Sequence, residues 1–193
     1  IDLTEVTQQA YEKCLSAGAC SEPGAEFWDP SGRANEPVFI VTWEQARDYC
    51  AFAGKRLPTE AEWEKAARGD DRRLYPWGNE RPDCSVPATT FANIFGCGFS
   101  YQPVRSFPKG VSPFGAFDMT GSVEEWVADW YQADYYSTAS ASAPNPKGPD
   151  SSPDGMRTTR GCAFDDTPED CRVSARRSRE DVASTDIGFR CAH

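Results

Sequence analysis

Cysteine is the residue type with the clearest chemical potential in this chain, occurring at positions 14, 20, 50, 84, 97, 162, 171 and 191. No two of these stand as Cys-x-x-Cys, so neither a zinc ribbon nor a thioredoxin-like redox centre is suggested. An even number scattered along the whole chain reads instead as structural bridges. Cys14 and Cys20 lie six residues apart across a glycine-containing turn, where a local bridge is sterically easy. His193 is the only histidine and the last residue, so a Ser-His-Asp triad or a histidine zinc site would have to be built from a frayed terminus. The 30 acidic residues formally supply a carboxylate pair for glycoside hydrolysis, yet no pair is singled out. Arg172, Arg176, Arg177 and Arg179 cluster near several acids, either to pair internally or to hold an anionic ligand.

Positioning such groups takes a core, and 193 residues with 6 Trp, 11 Phe and 7 Tyr suffice for one compact domain, 1–193. A net charge of −10 argues against a nucleic-acid backbone as partner. The partner is expected to be neutral, cationic or bridged by a cation. No apolar run approaches the ~20 residues of a membrane span. Bridged cysteines persist in oxidising compartments, so a secreted, periplasmic or cell-surface protein is expected, with residue 1 read as a cleavage or cloning boundary.

Three helices are predicted early. Thr7 caps the first, which buries Ala10, Tyr11, Cys14 and Leu15 and stops at Gly18. Thr42-Trp43-Glu44-Gln45 announces the second, running to about Ala53, and Pro58-Thr59-Glu60-Ala61-Glu62 the third, ending at Gly69. Pro and Gly then punctuate the chain, so loops and short strands should dominate. Ser122 to Tyr131 reads as a strand or as a short turn with alternating burial. Further strands are predicted around Thr158 to Phe164 and over Cys171 to Arg177. The stretch from Ser137 to Gly155 reads as an exposed, mobile loop.

Arg56-Leu57-Pro58-Thr59-Glu60-Ala61-Glu62-Trp63-Glu64, Tyr75-Pro76-Trp77-Gly78, Ala92-Asn93-Ile94, Gly121-Ser122-Val123-Glu124-Glu125-Trp126 and Gly188-Phe189-Arg190 occur in this order. Together they resemble the formylglycine-generating-enzyme (sulfatase-modifying factor) family over nearly the whole chain, with the family's N-terminal strand missing or trimmed. The resemblance implies an α+β, C-type-lectin-like fold of low regular secondary structure, stapled by disulfides. Active members oxidise a substrate cysteine with a copper-binding cysteine pair late in the chain. The corresponding stretch here, Arg160 to Arg172, has acids where that pair belongs, and Asp165, Asp166 and Glu169 are hard oxygen donors unsuited to Cu(I). Copper is therefore not expected. Calcium is, at one or both of two places that the resemblance marks: Asn93 with Ile94, whose downstream Asp-x-Phe has no counterpart near Cys97 to Gln102, and Gly121, Ser122, Val123 and Glu125, with Glu125 as the side-chain ligand. Ser122 stands for the usual Asn there and Glu124 for a usual Trp. With the family as guide, Cys50 pairs with Cys191, Cys84 with Cys97, and Cys162 with Cys171, which also fits a bridge between two strands.

Two function classes follow. The first is a non-catalytic domain presenting surface loops to a protein or small-molecule ligand through Asp165, Asp166, Thr167, Glu169, Arg172, Arg177 and Arg179. In its sharper form it is one of the diversified ligand-binding proteins whose late segment is mutated by a retroelement. The second is a divergent copper- or metal-dependent oxidase of the same family.

Overall fold

The computed structural model describes residues 1–84, 90–97 and 100–193. Helix α1 spans Gln8–Ser16, α2 Trp43–Phe52 and α3 Glu60–Arg68, each begun by a threonine whose hydroxyl accepts a backbone N–H of the first turn. At Thr42 and Thr59 the capping box closes in both directions, with Gln45 and Glu62 returning the bond. Local chemistry therefore fixes the helix starts where the sequence placed them.

Four short strands form one sheet in the order β3-β2-β1-β4: β1 is Glu124–Trp130, β2 Arg157–Arg160, β3 Arg177–Arg179 and β4 Ile187–Phe189. The β1–β2 and β2–β3 pairs are antiparallel, whereas β1 and β4 run parallel. The segment from Ser122 to Tyr131 thus resolves as a strand, and the second predicted strand is shorter than expected. The third is displaced: Cys171 to Arg176 forms turns, and pairing starts only at Arg177. Val173 is buried because its N–H bonds Leu74 and its side chain packs under α3, giving strand-like alternation without a ladder. Residues 137–155 are mostly exposed and include one 3-10 turn, Ser140–Ser142.

Alternation along β1 separates two cores. Trp126 packs with Tyr11, Val41, Cys50 and Phe189 beneath α1 and α2, while Val127 joins Trp63, Ala67, Met119 and Val173 around α3. All four expected bridges are present, Cys14–Cys20, Cys50–Cys191, Cys84–Cys97 and Cys162–Cys171, with Cα separations of 4.6 to 5.6 Å. Cys50–Cys191 ties α2 to the segment after β4, and the N-terminal segment is stitched to the same region by Asp2 N–H to Cys191 O and Val6 N–H to Phe189 O.

Candidate functional site

The sheet edge at β3 and the loop from Gly161 to Cys171 form one charged face. Glu124 is completely buried at its centre. Its carboxylate accepts the Thr159 hydroxyl at 2.7 Å, Arg177 Nη1 at 3.0 Å and Arg179 Nε at 3.0 Å, with a second contact from Arg179 Nη2. Arg177 reaches on to Asp166 at 2.8 Å and Arg179 to Asp186 at 2.9 Å. Both guanidiniums hold their protons above the ordinary range. For Arg179 the hydrogen bond to Glu124 is the leading cause; for Arg177 burial pulls downward and is outweighed by Glu124 and Asp166. Arg177 and Arg179 therefore pair internally, as Arg176 does with Glu60, whereas the Arg172 side chain is exposed.

Asp166 also shapes its own loop, since Oδ2 accepts Ala163 N–H at 2.8 Å and its carbonyl accepts Phe95 N–H at 3.0 Å. Cys162–Cys171 closes the loop base, Tyr75 hydroxyl holds the Pro168 carbonyl, and Thr167 hydroxyl bonds Asp170. The backbone is thereby held while Asp165, Thr167, Glu169 and Arg172 are left exposed. Glu169 meets Arg81 in an exposed pair. Beside the loop, Phe164 meets Tyr101 edge-on at 4.9 Å, Tyr101 stacks on Phe39 at 3.9 Å, and Phe27 lies 5.5 Å from Tyr101. Phe27 and Phe95 are exposed by 44% and 64%, so this face offers aromatic surface to solvent next to its charges. Burial pushes the Tyr101 hydroxyl up to about 12, and it donates to Thr185 O.

The two places marked for calcium lie side by side. Asn93 and Gly121 form a parallel bridge, and the Asn93 carbonyl accepts Ser122 N–H at 2.9 Å. A side chain at Gly121, where φ is 81°, would collide with that carbonyl. Glu125 does not point to an ion position: its oxygens are each 2.7 Å from Arg190 nitrogens, and Oε2 also accepts Trp63 Nε1 at 2.9 Å. With Glu125 neutralised this way, Gly121, Ser122, Val123 and Glu125 do not fit a calcium shell. Asn93 donates through Nδ2 to Ser100 O, while its Oδ1 is buried with no donor among the described residues. The described residues contain no group of three His, Cys, Asp or Glu side chains arranged for a metal. Residues 98–99, within the stretch that lacks the Asp-x-Phe, lie outside the described residues. All eight cysteines are bridged in the structure.

The curled four-stranded sheet, three early helices, long irregular segments and four disulfides define the formylglycine-generating-enzyme type of C-type-lectin-like fold. Over residues 1–193 the sequence matches the family described as "Sulfatase-modifying factor enzyme 1-like domain", and the chain belongs to that family. It is 40% identical over 192 residues to the formylglycine-generating enzyme of Thermomonospora curvata, spanning 88% of this chain and 62% of that protein. It is 38% identical over 168 residues to "Inactive C-alpha-formylglycine-generating enzyme 2" of Bos taurus, spanning 81% of this chain and 50% of that one. The chain thus covers less than two thirds of either relative. Among solved structures, Treponema denticola variable protein 1 superimposes with a TM-score of 0.76 at 23% identity, over 97% of this chain and 81% of the other, a likeness of fold.

Sequence reasoning missed Glu124 as the hub, with Thr159 and Asp186 as its partners, and missed Phe27 and Phe95. The Glu124 substitution for a usual Trp was the available signal. A buried acid in place of an aromatic needs cations, and Arg177 and Arg179 are two positions apart on one strand face.

Proposed function

We propose that this domain is a non-catalytic binding module whose ligand, a protein or a small molecule, meets the face formed by Asp165, Asp166, Thr167, Glu169 and Arg172, flanked by Arg177 and Arg179. The observation that carries this reading is the Cys162–Cys171 bridge. It lies in the segment where active relatives carry their copper-binding cysteines, and it turns that segment into a braced loop with outward polar side chains. The exposed Phe27 and Phe95 add the aromatic surface common at recognition sites. The likeness to a variable protein supports the finer form, in which these loop codons are diversified by a retroelement. Sequencing the gene from several isolates tests it: substitutions should concentrate at Asp165, Thr167, Glu169 and Arg172 and spare Glu124, Asp166 and Arg177. An even spread along the gene would remove diversification from the reading.

The 40% identity to a formylglycine-generating enzyme favours the second reading, an oxidase with altered ligands. Titration with copper in the presence of a cysteine-containing peptide, with oxygen uptake recorded, separates the two. The binding reading expects neither stoichiometric copper nor turnover; both together would overturn it. Calcium enters the binding reading only at Asn93 and Ile94, through the Asn93 Oδ1, which has no donor among the described residues. Four disulfides support a secreted, periplasmic or cell-surface setting, and no described helix is long and apolar enough to cross a membrane.

A further inference from the structure

A cleft of about 660 Å3 opens between α2, the start of α3 and residues 145–147, a size typical of small-molecule sites. Its apolar wall is Trp43, Leu57 and Ala128, and its charged lining is Arg47, Arg56 and Lys147 against one carboxylate, Glu62. Arg56 and Glu62 cancel each other through paired hydrogen bonds of 2.6 and 2.7 Å. Arg47 pairs with the solvent-exposed Asp48 and, at 3.9 Å, Glu44, and its guanidinium lies 5.5 Å from the Trp43 ring centre. Lys147 is exposed and makes no ion pair among the described residues.

Behind the wall lies a further cation, Arg157, which makes no direct ion pair among the described residues and feels Asp181 and Glu44 only at a distance. The Arg157 guanidinium is sandwiched between indoles, 3.5 Å from the Trp43 ring centre and 3.3 Å from that of Trp130. Its Nη1 makes a long bond of 3.4 Å to Ala128 O, and its Nε is buried with no partner among the described residues. Burial, the leading cause, pulls this guanidinium below its ordinary range; the nearby positive charge of Arg47 adds to it, and the negative charges of Asp181 and Glu44 offset only part of it. In a chain of net charge −10, cations that are unpaired or only weakly paired thus converge on one apolar cleft. Trp43 and Ala128 both line the cleft and touch Arg157, so an anion placed there also relieves the desolvated charge behind them.

We propose that this cleft binds an amphipathic organic anion, with its acid group between Arg47 and Lys147 and its apolar body against Trp43, Leu57 and Ala128. The site is independent of the β3 face. Two probes of matched shape test it: 1-anilinonaphthalene-8-sulfonate, which carries the charge, and neutral N-phenyl-1-naphthylamine. Fluorescence titration should show one saturable site for the sulfonate that weakens with salt. Arg47→Gln and Lys147→Gln should each weaken sulfonate binding on the order of fivefold, as for partly exposed charges, and leave the neutral probe unchanged. Arg172→Ala, on the β3 face, should change neither. Equal affinity for the two probes, or an undiminished sulfonate affinity in the double variant, would overturn the proposal. Both substitutions are on exposed side chains, so an unchanged thermal midpoint accompanies the expected result.

Discussion

Glu124 and Glu125 are neighbours on one strand, both buried and both bound to arginine, yet they serve opposite faces of the sheet. Glu125 looks toward α3 and meets one arginine, Arg190, whose side chain is fully shielded and which also donates to the carbonyls of Asp2 and Phe117. Glu5 lies 3.9 Å from the same guanidinium; burial chiefly, then the negative charge of Asp118, pushes Glu5 well above the usual carboxylate range. Glu124 looks toward β3 and meets two arginines that are 26% and 32% exposed and have second partners in Asp166 and Asp186. One cluster is a sealed joint of the scaffold. The other is a redundant hub whose cations reach the surface.

The largest expected effect comes from breaking the sealed joint. Arg190→Leu leaves Glu125 buried without a cation and should cost about 3 to 5 kcal/mol, read from the urea midpoint. A smaller loss than that from Glu124→Gln would reverse the comparison. Asp129, the third acid of β1, comes next. It is buried, accepts Glu60 N–H at 2.7 Å at the start of α3, and is pushed up to about 7, mainly by burial. Between about pH 4 and pH 7 the folded chain keeps a proton on Asp129 that the unfolded chain releases. Its contribution to stability therefore falls as pH rises through that window and is most unfavourable above pH 7. Asp129→Asn keeps an acceptor for Glu60 and should gain about 2 kcal/mol at pH 8 and little at pH 4, which denaturation at the two pH values checks.

Glu124→Gln should cost less than the loss at Arg190, about 1 to 2 kcal/mol, because the amide can still accept from Thr159 and both arginines retain other carboxylates. Smallest is Arg177→Ala, at about 1 kcal/mol or less, since Arg179 still neutralises Glu124. A loss at Arg177 as large as that at Arg190 would show that the outer cluster is as sealed as the inner one.

The helix starts were legible because a threonine hydroxyl and a returning Gln or Glu act within four residues. The bridges were legible through family likeness at Cys50–Cys191 and through proximity at Cys14–Cys20. Partners far apart in the chain were not. Glu125 read as a metal ligand because the family resemblance marks that turn and a carboxylate beside backbone carbonyls suits calcium, whereas the cation it meets lies 65 residues away. The strand predicted over Cys171 to Arg177 failed for a related reason: Val173 is buried by α3 and Leu74, so the alternation had a cause other than pairing. Of the candidate face, the exposed loop acids were visible from polarity alone, whereas the aromatic group joins Phe27, Phe39, Tyr101 and Phe164 from four separate segments.

The Cys50–Cys191 bridge encloses 141 residue steps of the chain. Under a pulling force applied at Ile1 and His193, tension would pass through that sulfur link and bypass the sheet, α3 and the loop from Asp165 to Arg172. Only the stretch before Cys50 could pay out, on the order of 170 Å at full extension, and less while Cys14–Cys20 stays closed. A ligand gripping Asp165 to Arg172 would then tug on a covalent ring, whereas a load from end to end would leave the grip undisturbed.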